Sequence, residues 1–408
     1  MRGAWSPLRH RIFRAMWLAS VVSNVGTWMH TVAAAWLMTM LASSPLPVAL
    51  VQTATTLPVF LITLPAGALA DLIDRRRWLI FTQSFMLAVA ALIGALTITG
   101  AIGPWSLLLL TFALGAGSSM NGPAWSATIP ELVPREELPA AVALNSVGFN
   151  IARAIGPALG GMIMAASNAG VVFILNAISF LGVIVVLCVW RGATRLPAGP
   201  GVQIHTAMRE GLRYVRSTRV YRAVLVRSGL FAFCAAALWA LLPVVASAQL
   251  GTTGTGYGVL LGCLGTGSVI GAGMLAPLRA RHSSDRLVAA GAIVFGAATA
   301  SLALIHSFAV VCVAMLLGGV AWMTVMTTFN VGAQTTPPLP MRARALAVYI
   351  LVFQGALALG SATWGAIAGH WNVRGSLLIA ATMLAVGLIT SSRLSISPDP
   401  VEDAEYVA

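Results

Sequence analysis

Lysine is absent from this sequence, acidic residues number 11, and charged residues of all kinds make up 9% of 408 positions. A soluble domain carries roughly 25% charged residues, so a chain this poor in charge does not have water as its principal solvent. Cysteine is scarce as well. Cys188, Cys234, Cys263 and Cys312 stand singly inside apolar stretches, without the spacing of a disulfide framework or a metal site, and read as small buried hydrophobes. The chain has no Walker-type phosphate loop, no His-Glu-x-x-His and no nucleophile elbow. ATP-driven pumping and the common hydrolytic chemistries therefore find no residues to run on, and no cofactor or metal is expected.

What is present is apolar surface: 58% of residues are hydrophobic and mean hydropathy is +0.89. A helix needs about 20 apolar residues to cross a bilayer, which leaves room for roughly a dozen crossings. Six segments long enough to span lie near residues 15 to 38, 47 to 70, 78 to 99, 105 to 128, 141 to 165 and 169 to 190. Six more lie near 224 to 248, 256 to 278, 287 to 305, 308 to 331, 345 to 369 and 374 to 391. The expected organisation is a six-helix bundle over 1–190, a basic linker over 191–222, a second six-helix bundle over 223–391 and an acidic tail over 392–408. Within the linker, Met208 to Arg219 reads as a basic amphipathic helix anchored on the membrane surface. The run after Arg2, Arg9, Arg11 and Arg14 is too long for a signal-peptide core and reads as a retained first helix.

The formal charge of +13 comes from arginines between apolar runs, so it speaks for membrane orientation and not for a nucleic-acid partner. With the N-terminus in the cytoplasm, the loops holding Arg75 to Arg77, Arg135, Arg191 to Arg227, Arg279 to Arg286 and Arg342 to Arg344, with both tails, collect every arginine except Arg153 and Arg374. Loops of the other face, such as Ala42 to Pro45 and Gly100 to Gly103, carry none. The positive-inside rule then places both termini in the cytoplasm.

The two halves echo each other at an offset of about 204 to 206 residues. Gly67-Ala-Leu-Ala-Asp71 with Arg75 recurs as Gly273-Met-Leu-Ala-Pro277 with Arg281, and Asn150 to Gly156 recurs as Gln354 to Gly360. A parallel repeat of this kind is a common way to build a transporter, with the ligand site near the midplane.

Gly67-Ala-Leu-Ala-Asp71-Leu-Ile-Asp74-Arg75-Arg76-Arg77 resembles the signature loop between helices 2 and 3 of the major facilitator superfamily, with Leu72 and Asp74 where Arg and Gly are usual. Pro123-Ala-Trp125, Pro130-Glu131-Leu-Val-Pro134, Ala143-Leu-Asn145-Ser and Asn150-Ile-Ala-Arg153-Ala-Ile-Gly156-Pro157-Ala-Leu-Gly160-Gly161 resemble its transmembrane secretion effector branch, which includes siderophore exporters and macrolide efflux proteins. The resemblance implies an all-α membrane protein of twelve transmembrane helices in two six-helix pseudo-repeats, acting as a monomer in the bacterial inner membrane. The Gly-Pro-x-x-Gly-Gly run is similar to the motif that marks antiporters, so the resemblance implies export of small amphipathic molecules driven by protons. Independently of it, Gly156, Gly160 and Gly161 let a neighbouring helix approach closely, as small residues do in many membrane bundles, and Pro157 removes one backbone donor.

Asp71 and Glu131 fall where helices 2 and 4 reach the arginine-rich face, with Arg75 between them, which predicts a salt-bridge latch that gates alternation; plain helix capping is the alternative. Arg153 falls well inside helix 5, and an intramembrane charge faces a cavity or a partner, including an anionic group on a substrate. His30 is the side chain within a span that titrates near neutral pH, so it is a candidate proton carrier or else a packing residue among Trp28, Met29 and Trp36. Asn24, Gln52, Asn121, Asn145, Asn150, Asn176, Asn330, Gln334 and Gln354, with Trp125, Trp239 and Trp322, could line a pathway or glue helices together. Uptake of a nutrient, a membrane-embedded enzyme and a non-transporting scaffold are the competing readings, the enzyme being disfavoured by the lack of acidic residues at membrane depth.

Overall fold

The computed structural model describes residues 5–190, 213, 215, 218–338 and 341–391; the side chains of 64, 67–72, 343 and 388–391 lie outside the description. The proposed surface helix of the linker and the acidic tail likewise fall largely or wholly outside the described residues.

Among the described residues there is no strand. The first six long helices are α1 (Arg11–Leu41), α2 (Pro45–Leu72), α3 (Arg75–Ile98), α4 (Pro104–Leu132), α5 (Leu138–Ala166) and α6 (Ala169–Val189). The second six are α7 (Arg219–Val244), α8 (Gly254–Arg281), α9 (Ser284–Leu304), α10 (Phe308–Thr335), α11 (Arg342–His370) and α12 (Val373–Ser391). Each coincides with one apolar segment, and most run several residues beyond it, because a helix continues past the hydrocarbon until a cap or a turn ends it. Asp74 caps α3 by accepting a hydrogen bond from the Arg77 amide at 2.8 Å, and Asn168 caps α6 through the Val171 amide at 3.1 Å. Gly100 closes the turn after α3 at φ +71°, a left-handed conformation open to glycine.

Prolines inside α2, α4, α5, α7 and α8 would break helices in water. Helices in a membrane tolerate internal prolines more readily than helices in water. After Pro243, α7 widens into a π-helical turn, Val245–Gln249.

The chain divides into two compact units. The first comprises Met1–Ser43, Leu57–Gly201 and Ala246–Gly265; the second comprises Ser44–Thr56, Val202–Val245 and Thr266–Ala408. Each therefore includes a helix segment from the other half of the sequence: the start of α8 packs within the first unit and the start of α2 within the second. Inside the first unit α1 packs on α5 and α6, and α3 on α4 and α6. Inside the second, α7 packs on α11 and α12, and α9 on α10 and α12. The same packing scheme is thus built twice. Equivalent aromatic donors reinforce it: Trp17 Nε1 donates to the Leu144 carbonyl at 2.8 Å, tying α1 to α5, and Tyr221 Oη donates to the Ala345 carbonyl at 2.6 Å, tying α7 to α11.

Candidate functional site

At the arginine-rich end of the first unit, α3 opens with three arginines whose directions are fixed by the Asp74 cap. Arg75 Nη1 donates to Glu131 Oε1 at 2.8 Å and to the Ala127 carbonyl at 3.3 Å, bridging α3 to α4. Arg76 donates to the carbonyls of Leu187 and Cys188 at 2.7 and 2.8 Å, satisfying the last turn of α6. Gly67 and Asp71 belong to the last turns of α2, and their side chains lie outside the described residues. His10 Nε2 lies 2.8 Å from Glu137 Oε2, which fastens the segment before α1 to the turn before α5. Sequence reasoning passed over that pair because its members are 127 residues apart.

A narrow apolar cleft opens between α1, α4 and α5, lined by Phe13, Met16, Trp17, Trp125 and Asn145 among others. Trp125 Nε1 lies 3.5 Å from Asn145 Oδ1, at the outer limit of a hydrogen bond.

Deeper along α5, three motif glycines sit against neighbouring backbone and side chains. A Cβ added at Gly156 would lie 2.6 Å from Trp28 Cβ, and one at Gly160 would lie 2.9 Å from Met29 Cα, so both glycines bring α1 onto α5. A Cβ at Gly161 would lie 2.7 Å from the Gly254 carbonyl and 3.2 Å from Gly258 Cα, so this glycine brings α5 onto the first turns of α8. The approach is reciprocal: a Cβ at Gly258 would lie 2.6 Å from the Pro157 carbonyl, and one at Gly265 would lie 2.8 Å from the Arg153 carbonyl. Thr255 Oγ1 donates to the Gly161 carbonyl at 3.2 Å across the same seam.

Arg153 is half-buried midway along α5, with its guanidinium 5.9 Å from the centroid of the Trp28 ring. Phe149 meets that ring edge-on at 6.1 Å, and Asn24 and Asn150 are half-buried on the same two helices. Asn150 Nδ2 donates to the Ser146 carbonyl at 2.8 Å. His30 is closed off beneath Phe173, with ring centroids 4.5 Å apart and 3% of the residue exposed.

In the second unit, Trp322 is buried in an aromatic core: Trp239, Phe295, Phe231 and Phe353 surround it at centroid distances of 5.4, 5.7, 5.8 and 6.2 Å. Gln354 is half-buried on α11, and Asn330 and Gln334 bond each other along α10. Asn121 accepts from Thr82 at 3.1 Å and Gln83 at 3.3 Å, joining α3 to α4. Asn176 is fully buried. Arg227, grouped by sequence with the linker charges, lies nine residues into α7 and pairs with Asp285 in the first turn of α9. Arg279 Nη2 donates to the Thr327 carbonyl at 2.9 Å.

A family described as transmembrane secretion effector matches residues 2–406. The chain belongs to that family. Members of this transporter class resemble it along nearly their full length. An MFS-type transporter of Bacillus subtilis is 27% identical over 392 residues, covering 91% of this chain and 90% of the relative. The staphyloferrin A transporter of Staphylococcus aureus is 24% identical, covering 84% and 86%. The multidrug efflux pump Tap of Mycolicibacterium fortuitum is 24% identical, covering 91% and 93%. Among solved structures, a bacterial homologue of the human lysosomal transporter Spinster superimposes with a TM-score of 0.75 at 14% identity, over 98% of this chain and 100% of that one, which establishes a shared fold. This secretion-effector chain is thus a multi-pass membrane transporter of the major facilitator kind and not an enzyme.

Proposed function

We propose that the protein is a proton-coupled exporter of small amphipathic molecules, working by alternating access as a monomer in the bacterial inner membrane with both termini cytoplasmic. The observation that carries this reading is the glycine seam between α5 and α8. Backbone meets backbone there with no side chain between, through Gly161, Gly254, Gly258 and Gly265. A seam of this kind packs densely enough to exclude solutes, yet opens without breaking any ion pair. At the arginine-rich end, Arg75 pairs with Glu131 in a charged contact suited to serve as a latch on one state of the cycle, and we assign Gly67 and Asp71, on the preceding helix, to the same gate from the sequence motif. Two relatives named for efflux of drugs and for a siderophore fit the same substrate range. Of the titratable groups within spans, His30 can exchange protons only when α1 and α6 separate around it, which would tie its titration to the conformational cycle.

The test is accumulation of a panel of fluorescent amphipathic dyes in efflux-deficient cells expressing the protein, with and without a protonophore, beside Asp71→Asn. Lower accumulation abolished by the protonophore and by the variant is the expected result. Raised accumulation in expressing cells would establish uptake and reverse the direction.

A further inference from the structure

We propose that Arg153 and Trp28 form a recognition site for the carboxylate of an aromatic or otherwise planar anion, so that the cargo is anionic and not cationic. This rests on the transport reading above and names the substrate class of that pathway.

A guanidinium at mid-depth in a membrane is expensive and persists where it has work to do or a partner to meet. Arg153 occupies the middle of α5 and remains half-buried, not sealed in the core, so part of it is accessible from the first unit's surface. Its planar group lies over the Trp28 indole, and Phe149, 45% exposed, stands edge-on to the same ring. The cation thus lies within reach of cation–π attraction to one ring, and a guanidinium presents its N–H donors as a planar fork from which a carboxylate accepts two parallel hydrogen bonds. Gly156 makes the arrangement possible: with any side chain there, Trp28 Cβ could not approach α5 as it does. A cationic cargo would meet like charge in a low-dielectric setting and be rejected.

The probes are dansylglycine and its methyl ester, which share one ring system and differ by one negative charge. Binding to the purified protein in detergent is read by fluorescence transfer from tryptophan. The acid is expected to bind at least about tenfold more tightly than the ester, as a charge-assisted bidentate contact requires. Arg153→Gln should erase that preference by weakening the acid alone, Arg153→Lys should keep part of it, and Trp28→Leu should weaken both probes. Because the acid-to-ester ratio is read on the unaltered protein, the test survives a variant that fails to fold. Equal or tighter binding of the ester, or no binding of either probe, overturns the inference. Dye efflux that persists alongside that result would leave the export reading standing, whereas failure of the dye panel with a preserved acid preference would fault the export reading alone.

Discussion

In the first unit Arg75 and Glu131 pair at 2.8 Å with 31% and 13% of their side chains exposed, whereas in the second Arg227 and Asp285 pair with 3% and 32% exposed. The repeat sets Arg281 opposite Arg75 and Pro277 opposite Asp71, yet Arg281 is exposed, and it is Arg279 that reaches a neighbouring helix, at the Thr327 carbonyl. One unit holds its arginine-rich end with a half-open ion pair at a helix boundary; the other sinks a cation into α7 and covers it. Two halves built on one packing scheme therefore place their charges differently. An ion pair whose cation stays partly open can be broken and remade during a cycle at small cost, while one whose cation is covered is costly to break, because the charge left behind is buried.

The largest effect is expected from removing the half-buried partner of the buried cation. Asp285→Ala takes an ion-pair partner from the buried Arg227 cation and should cost about 3 kcal/mol, seen as a large drop in thermal midpoint in detergent. The double change Arg227→Met with Asp285→Leu should recover most of that loss, since a well-packed apolar pair often replaces a buried ion pair without penalty.

Next in size is the glycine packing that both units share. Gly160→Val would push a side chain onto Met29 backbone atoms, which cannot move aside as a flexible chain can, so roughly 1–3 kcal/mol should be lost. Gly360, whose added Cβ would strike the Phe233 carbonyl in the second unit, should behave alike. Unequal losses at these two positions would mean that the units differ in more than their charges.

Smaller still is the effect on stability of opening the accessible pair. Arg75→Gln or Glu131→Gln should change the thermal midpoint by an amount equivalent to about 1 kcal/mol or less. Dye efflux should nonetheless slow clearly in the same proteins. An equal fall in stability and transport would assign this pair the same structural role as its buried counterpart. The smallest effect belongs to Gly273, the position that echoes Gly67: nothing lies within 4 Å of an added Cβ, so Gly273→Ala should be neutral or slightly stabilising through better helix propensity. Impaired folding there would show that the glycine echo carries a constraint beyond the static packing.

Much of this was legible in the sequence because the bilayer imposes one demand everywhere. Every span must be an apolar helix with its backbone bonded internally, so twelve apolar runs became twelve long helices, and the 204-residue echo pointed to the packing scheme that both units share. The pairing of Arg75 with Glu131 was also within reach, since helix ends on one face bring opposite charges close. Other features were not. Arg227 resembled a linker charge because hydropathy cannot tell the last arginine outside a helix from the first one buried in it. The burial of Trp322 was not legible, because it depends on four aromatics drawn from α7, α9 and α11. The amides Asn121 and Asn150 were equally ambiguous until their partners on α3 and α5 were in place.

How many long apolar helices the chain forms, which of them are equivalent and where charge is rare could be read from the sequence, because each is a property of one segment at a time. Tertiary structure alone decided that Gly156 seats Trp28 beneath Arg153, that Gly161 meets the start of α8, and that His30 is closed under Phe173. Those are contacts between segments, and once lipid has satisfied every helix alike, only the shapes of facing side chains choose among neighbours.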